Sequence, residues 1–325
     1  MKVRIKTIEY YLPPHTEDGA VLKKDNEDWR IGEIENKTGI QIRHIADPDQ
    51  TASDMGYLAS EKLFKYGVNK EEIDLLVLIT QSADYVLPAS ACVLQNRLGL
   101  RKSCMAFDIN LGCSGFVYGL SIAGALIETG LIKKALLICS DTYTKYIEKN
   151  DRTCRPLFGD GASATLIEES SFDGLGPFEF GTDGSGFRDL IVPAGGSRIS
   201  DGQNQKKTLF MDGSKVFMFT MDMVPQCVEE LLKKANKRIK DIDLFIFHQA
   251  SKIVTDNLIR RLQLPEEKVF INCGQIGNTV SASIPIAFKD AIEAKRLKEG
   301  DLVMLVGFGV GYSWGSCLVH WREES

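Results

Sequence analysis

Asp108-Ile109-Asn110-Leu111-Gly112-Cys113-Ser114-Gly115-Phe116-Val117-Tyr118-Gly119-Leu120 is the stretch whose reading decides the rest of this chain. An apolar segment, Cys104 to Ile109, runs into a Gly-Cys-Ser-Gly turn. A helix-compatible run from Phe116 to Thr129 follows and stops at Gly130, in the position of a C-terminal cap. The pattern predicts strand, tight turn, helix. Small residues on both sides of Cys113 permit the backbone of an elbow and leave room for a substrate carbonyl. At a helix N-terminus, free amide N–H groups and the macrodipole favour a thiolate, so the Cys113 pKa is expected to fall below its usual ~8.5. Two readings of Cys113 stand side by side at this point: a nucleophile, or a small buried hydrophobe, as most intracellular cysteines are.

Outward from this stretch, Ile73-Asp-Leu-Leu-Val-Leu-Ile-Thr-Gln81 is a continuous apolar run of the kind buried in a parallel sheet. Ile242-Asp-Leu-Phe-Ile-Phe-His-Gln249 resembles it, for both begin Ile-Asp-Leu and end at a Gln before small residues. Ala135 to Ser140 and Asp301 to Gly307 rhyme in the same way. An internal duplication follows, with chance similarity between buried strands as the competing account. The Gly-, Asp- and Ser-rich segment from Ser171 to Gly213 places the boundary near 170, giving halves 1–170 and 171–325. A first strand is expected over residues 1 to 12, ended by Pro13-Pro14. Ser53 is expected to cap a helix running to Lys65. The polar stretch from Asp25 to Asp54, with Trp29, reads as an excursion near a substrate mouth.

The chain has 325 residues, more than one ordinary core, with 44% hydrophobic and 26% charged residues. No apolar run approaches the ~18 residues of a membrane span. The N-terminus alternates like a strand rather than a secretory signal, so a cytoplasmic protein is expected. Eight cysteines are scattered without a Cys-x-x-Cys pair, which suggests neither a zinc site nor a disulfide framework. With 39 basic and 44 acidic residues the net charge is −5, giving no general attraction to nucleic acid. An acidic partner would need a local basic patch.

Cys113, His248 in Phe-His-Gln-Ala, and Asn278 in Gly-Asn-Thr all stand at the ends of predicted strands, where catalytic groups collect in α/β sheets. Taken singly, His248 reads equally as a satisfied core histidine. The glycine loop Gly307-Phe308-Gly309-Val310-Gly311-Tyr312-Ser313-Trp314-Gly315 does not match the dinucleotide fingerprint.

In combination, these residues resemble the β-ketoacyl-acyl carrier protein synthase III family of the thiolase superfamily. The resemblance runs from about Thr38 to Trp314. It is carried by Lys-Thr-Gly-Ile (37 to 40), Leu87-Pro88, the Asp108 to Phe116 stretch, Asp-Arg-Thr (151 to 153), Leu-Phe-Gly-Asp-Gly-Ala (157 to 162), His-Gln-Ala (248 to 250), Gly-Asn-Thr (277 to 279) and the terminal glycine loop. It implies an α/β thiolase-like fold of five α-β-α-β-α layers from two similar halves, a homodimer, and a Cys-His-Asn site of Cys113, His248 and Asn278. It further implies acyl transfer from an acyl-CoA to Cys113 and decarboxylative condensation with a malonyl-acyl carrier protein, without a metal or redox cofactor.

By the same resemblance, an oxyanion hole is expected from the Cys113 N–H and a backbone N–H within Gly309 to Gly311. Phe308 would line the site and Leu87 would floor the partner's acyl pocket. Arg152, Lys37 and Trp29 would bind CoA, while Arg260, Arg261 and Lys252 would dock the acidic carrier. The chain departs from the family at Ser251, where Asn is usual, at Ile253, and at Glu33, where the family places the tryptophan that here stands at 29. An acyltransferase on the same fold, moving an acyl group to a hydroxyl or amine, is the alternative. Asn278 favours the condensing enzyme, because a decarboxylative enolate needs the second donor.

Overall fold

A computed structural model describes residues 1–198 and 207–322; part of the Ser171 to Gly213 segment therefore lies outside the described residues. Two sheets organise the chain. The first has the order β1 (Val3–Tyr11), β7 (Gly161–Glu169), β6 (Lys134–Asp141), β4 (Leu75–Ile79), β5 (Met105–Ile109). The second has the order β8 (Leu175–Thr182), β13 (Ser313–His320), β12 (Leu302–Gly309), β11 (Leu244–Phe247). In the first, β4 is parallel to both β5 and β6 while β1·β7 and β6·β7 are antiparallel; in the second, the edge pair β11·β12 is parallel and β12·β13 and β13·β8 are antiparallel. A parallel bridge from Phe245 to Val269 stands where β5 stands in the first sheet, so the order repeats. Two short ribbons complete the strands, β2 (Thr16–Asp18) with β3 (Ile42–His44), and β9 (Leu190–Ile191) with β10 (Phe210–Met211).

Helices form the other three layers. α5 (Gly115–Glu128) and α9 (Ser283–Glu293) lie in the middle and touch strands of both sheets. α3 (Ala52–Lys65) and α4 (Ser90–Arg97) cover the outer face of the first sheet, and α6 (Gly213–Ala235) covers the second, with α7 (Lys252–Leu262) packed against it. This is the five-layered α-β-α-β-α architecture. Shorter helices α1 (Gly19–Asp25), α2 (Ile31–Thr38) and α8 (Cys273–Ile276) lie in connections. No helix among the described residues is long and apolar enough to cross a membrane.

Local chemistry explains the elements that frame the site. β4 is apolar without alternation because every one of its residues is buried between helical layers. α5 lies close against the first sheet: a Cβ at Gly119 would meet Ile79 Cδ1 at 2.6 Å and Leu137 Cδ1 at 2.7 Å. It ends at Thr129, with Gly130 following in the left-handed conformation. α3 begins two residues earlier than expected. Thr51 is its N-cap in a reciprocal capping box with Asp54, while Ser53 lies inside the helix and donates to Asp84 Oδ2 at 2.5 Å.

Candidate active site

Cys113 follows β5 and precedes Ser114, the N-cap of α5. Its side chain is buried in an apolar cluster with Tyr143, Cys154, Phe158, Leu190, Leu209 and Val280. Burial, with a smaller push from the Asp141 carboxylate, holds the Cys113 thiol well above its ordinary value. The sequence-based expectation of a lowered pKa is therefore corrected. Removing the sulfur from water disfavours the anion more than the nearby helix terminus favours it. The glycine loop comes against this residue from the second sheet. A Cβ at Gly309 would stand 2.8 Å from Cys113 Cβ and 3.0 Å from Sγ, so only glycine lets the two turns meet.

His248 is the residue after β11, and Asn278 lies in the turn beyond α8. His248 Nε2 and Asn278 Nδ2 are 3.4 Å apart, a spacing from which both nitrogens can donate to one oxygen. Asn278 is held by its own turn, since its Oδ1 accepts the Val280 N–H at 2.9 Å and its backbone N–H bonds Leu157 O at 2.9 Å. The His248 ring stands edge-on to Phe308, with centroids 5.5 Å apart, and its Nδ1 is 2.7 Å from Ser283 Oγ. Burial alone pushes the imidazole down to about 3, so His248 is neutral at ordinary pH. Ser283 escaped sequence reasoning; its signal was the Ser-Ala-Ser triplet beginning three residues after Asn278.

Cys113, His248, Asn278, Phe308 and Gly309 line one cavity of about 1080 Å³. Lys37 and Arg152 lie along the same cavity. Much of the remaining wall comes from β10 and the first turns of α6, including Phe210, Met211, Val216, Phe217 and Met218. Sequence reasoning placed Phe210 and Met211 in a weakly periodic boundary segment and made nothing of Val216 to Met218, although the run Val216-Phe-Met-Phe219 is apolar enough to mark a buried or ligand-facing surface.

Other expected residues fall elsewhere. Trp29 is only 4% exposed and is not among the cavity-lining residues, so its indole offers no free face for stacking on CoA. The assignment of Trp29 to CoA binding is corrected on that ground. Gly311, at φ 136°, packs its Cα side toward Ser313 and does not line the cavity. Leu87 is 81% exposed in the single chain, next to exposed Tyr85 and Val86, and lies outside the cavity wall. Arg260 and Arg261 are exposed in the last turn of α7. Lys252 is exposed in its first turn and pairs with Asp256. Among the described residues no group of three or more His, Cys, Asp or Glu side chains is arranged to hold a metal ion.

Comparison with known proteins agrees with this geometry. Residues 107–184 match the family model of 3-oxoacyl-[acyl-carrier-protein (ACP)] synthase III, and residues 232–321 match the model of its C-terminal part. A β-ketoacyl-[acyl-carrier-protein] synthase III of Natranaerobius thermophilus is 39% identical, covering 94% of each chain. One of Fusobacterium nucleatum is 36% identical over 98% of each. A solved structure of a 3-oxoacyl-(acyl-carrier-protein) synthase III superposes with a TM-score of 0.96 at 41% identity, covering 99% of this chain and all of the other. Matched by both models and by relatives of the same length, and built as the same five layers around one cysteine-bearing cavity, the chain belongs to the 3-oxoacyl-[acyl-carrier-protein] synthase III family.

Proposed function

We propose that the protein joins an acyl-CoA primer to a malonyl-acyl carrier protein by decarboxylative Claisen condensation, the step that initiates fatty acid or related acyl chain synthesis. The observation that carries this reading is the convergence of Cys113 with the His248–Asn278 nitrogen pair on one cavity. In the first half-reaction the Cys113 sulfur attacks the thioester carbonyl. The C–S bond to CoA breaks, and the proton of the resting thiol leaves with the CoA sulfur, giving acyl-Cys113 and free CoA. The Cys113 N–H and a backbone N–H of the Gly309 loop are suited to hold the transient oxyanion.

In the second half-reaction the malonyl C–C bond breaks and CO2 departs. The electron pair moves into the thioester, and the enolate oxygen accepts from His248 Nε2–H and Asn278 Nδ2–H. Ser283 donating to Nδ1 leaves the His248 proton on Nε2, as this requires. The carbanion attacks acyl-Cys113, and the thiolate is expelled and reprotonated. The reaction as written needs no metal or redox cofactor.

Lys37 and Arg152 would meet the anionic end of CoA along the cavity. Exposed Arg260, Arg261 and Lys252 form the local basic surface for an acidic carrier. The exposed apolar loop Tyr85-Val86-Leu87 would be covered in a homodimer. The expected location is the cytoplasm.

Intact-mass measurement after incubation with acyl-CoAs, followed by malonyl-carrier protein, tests the reading. A Cys113 adduct that disappears as 3-oxoacyl-carrier forms is the expected result. An adduct that persists with malonyl-carrier yet moves to a hydroxyl or amine acceptor overturns it in favour of simple acyl transfer.

A further inference from the structure

Asp141 ends β6 and is fully buried. One carboxylate oxygen, Oδ1, accepts the Gln81 backbone N–H at 2.8 Å, with the Thr80 and Ser82 hydroxyls each 3.4 Å away. The other, Oδ2, accepts the Ser281 hydroxyl at 2.5 Å and the Ser281 N–H at 3.2 Å. Two backbone N–H groups and a short hydroxyl bond call for the acceptor-only, ionised form.

The two oxygens face the two halves of the reaction centre. On the Oδ1 side, the Gln81 side-chain oxygen packs against the turn of the nucleophile: a Cβ at Gly112 would lie 2.4 Å from it, and it accepts the Tyr143 hydroxyl at 2.5 Å. On the Oδ2 side, Ser281 stands three residues after Asn278. Between them Val280 has φ 55°, a left-handed conformation that is an outlier for a β-branched residue. Such a conformation persists only where its surroundings over-determine it. Here the Val280 N–H is bonded to Asn278 Oδ1, its Cγ1 lies against Gly112, and the next residue is anchored on Asp141.

We propose that Asp141 is a positioning residue: holding Gln81 on one oxygen and Ser281 on the other, it sets the Asn278 amide against the nucleophile turn across the junction of the two sheets. The inference rests on the enolate-binding reading of Asn278. The carboxylate also bears on the nucleophile as a charge. Burial pushes Asp141 itself up to about 7, against the hydrogen bonds it accepts. The titratable groups that feel its charge are the Cys113 and Cys139 thiols and the Tyr143 and Tyr146 phenols, each of which it pushes up.

The test separates the half-reactions in Asp141→Asn, which keeps the shape but cannot accept from both sides at once. Transfer of the acyl group to Cys113 is followed by intact mass, and CO2 release from malonyl-carrier is followed on the pre-acylated enzyme. The expected result is a fall in decarboxylation of about 30-fold, less than the about 10²–10³ lost when an oxyanion donor is removed outright, with acylation retained within about threefold. Alkylation of Cys113 by iodoacetamide should shift to lower pH, because a negative charge beside the sulfur is gone. Unchanged half-reactions, or equal losses in both, overturn the inference.

If Asp141→Asn does not fold, Ser281→Ala carries the same test; it removes one donor and should slow decarboxylation alone, by about fivefold. Asn278→Ala is measured beside them. If that variant still decarboxylates, the functional reading falls and the inference with it. If it does not, while both Asp141→Asn and Ser281→Ala do so normally, the inference alone is overturned.

Discussion

Ser283 Oγ lies 2.7 Å from His248 Nδ1, and this contact makes the first residue of α9 the orienting partner of the imidazole that follows β11. The other ring nitrogen, Nε2, faces the Asn278 amide at 3.4 Å. Ser283→Ala is therefore expected to slow malonyl decarboxylation by about 10-fold, less than loss of a direct oxyanion donor, which costs about 10²–10³. Acylation of Cys113 should be little changed. Single-turnover measurement of each half-reaction checks this.

The buried thiol of Cys113 carries a prediction of its own. Because desolvation and the Asp141 charge both hold it protonated, alkylation in the free enzyme should be slow at pH 7 and still rising beyond pH 9, with no plateau near neutrality. Mass-resolved iodoacetamide kinetics across pH 6.5 to 9.5 read this directly. Cys113→Ala should abolish the acyl adduct altogether.

His248 couples stability to pH with a definite sign. Its pKa falls from 6.5 to about 3 on folding, so the unfolded chain binds the extra proton between those values. Stability from this residue is complete above about pH 6.5 and is lost as the pH falls toward 3. At pH 5 the loss amounts to about 2 kcal/mol. Urea unfolding of the wild type and of His248→Gln at pH 7.5 and pH 5 should show the wild type losing more, with the groups common to both cancelling.

Gly309→Ala should leave the fold intact and cripple acylation. The new methyl would sit 3.0 Å from Cys113 Sγ and 2.8 Å from its Cβ, forcing the two turns apart. A displacement near 1 Å at a reacting atom costs about 10²-fold. Comparing the acylation rate with the thermal midpoint distinguishes this local effect from global damage.

Much of the architecture was legible from the chain because buried strands leave little freedom. The run Ile73 to Gln81 and its counterpart Ile242 to Gln249 are too apolar and too short for surface elements, and they became β4 and β11 at matching places in two sheets. The convergence of Cys113 and His248 was legible for a related reason, since each follows a strand and such ends meet on one side of the sheets; Asn278, expected at a strand end, instead follows the short helix α8, and its place was legible only through the family resemblance.

What was not legible depends on distances between segments remote in sequence. The thiol's raised pKa comes from the packing of Tyr143, Phe158, Leu190 and Leu209 around it, which no reading of residues 108 to 120 contains. Trp29 lies in a polar stretch yet is buried, because ring burial follows tertiary packing and not its neighbours in sequence. Asp141 was not singled out in the sequence, and only the structure places Ser281 and Gln81 on its two oxygens.

The middle layer has a consequence for how the molecule comes apart. α5 and α9 each touch both sheets, and the largest core joins Val77 and Leu137 of one with Ile246 and Leu305 of the other. Neither half can close this core without the other. A chain that repeats itself in topology should therefore melt as one cooperative unit, and a fragment ending near residue 170 should leave an open apolar face rather than a small stable domain.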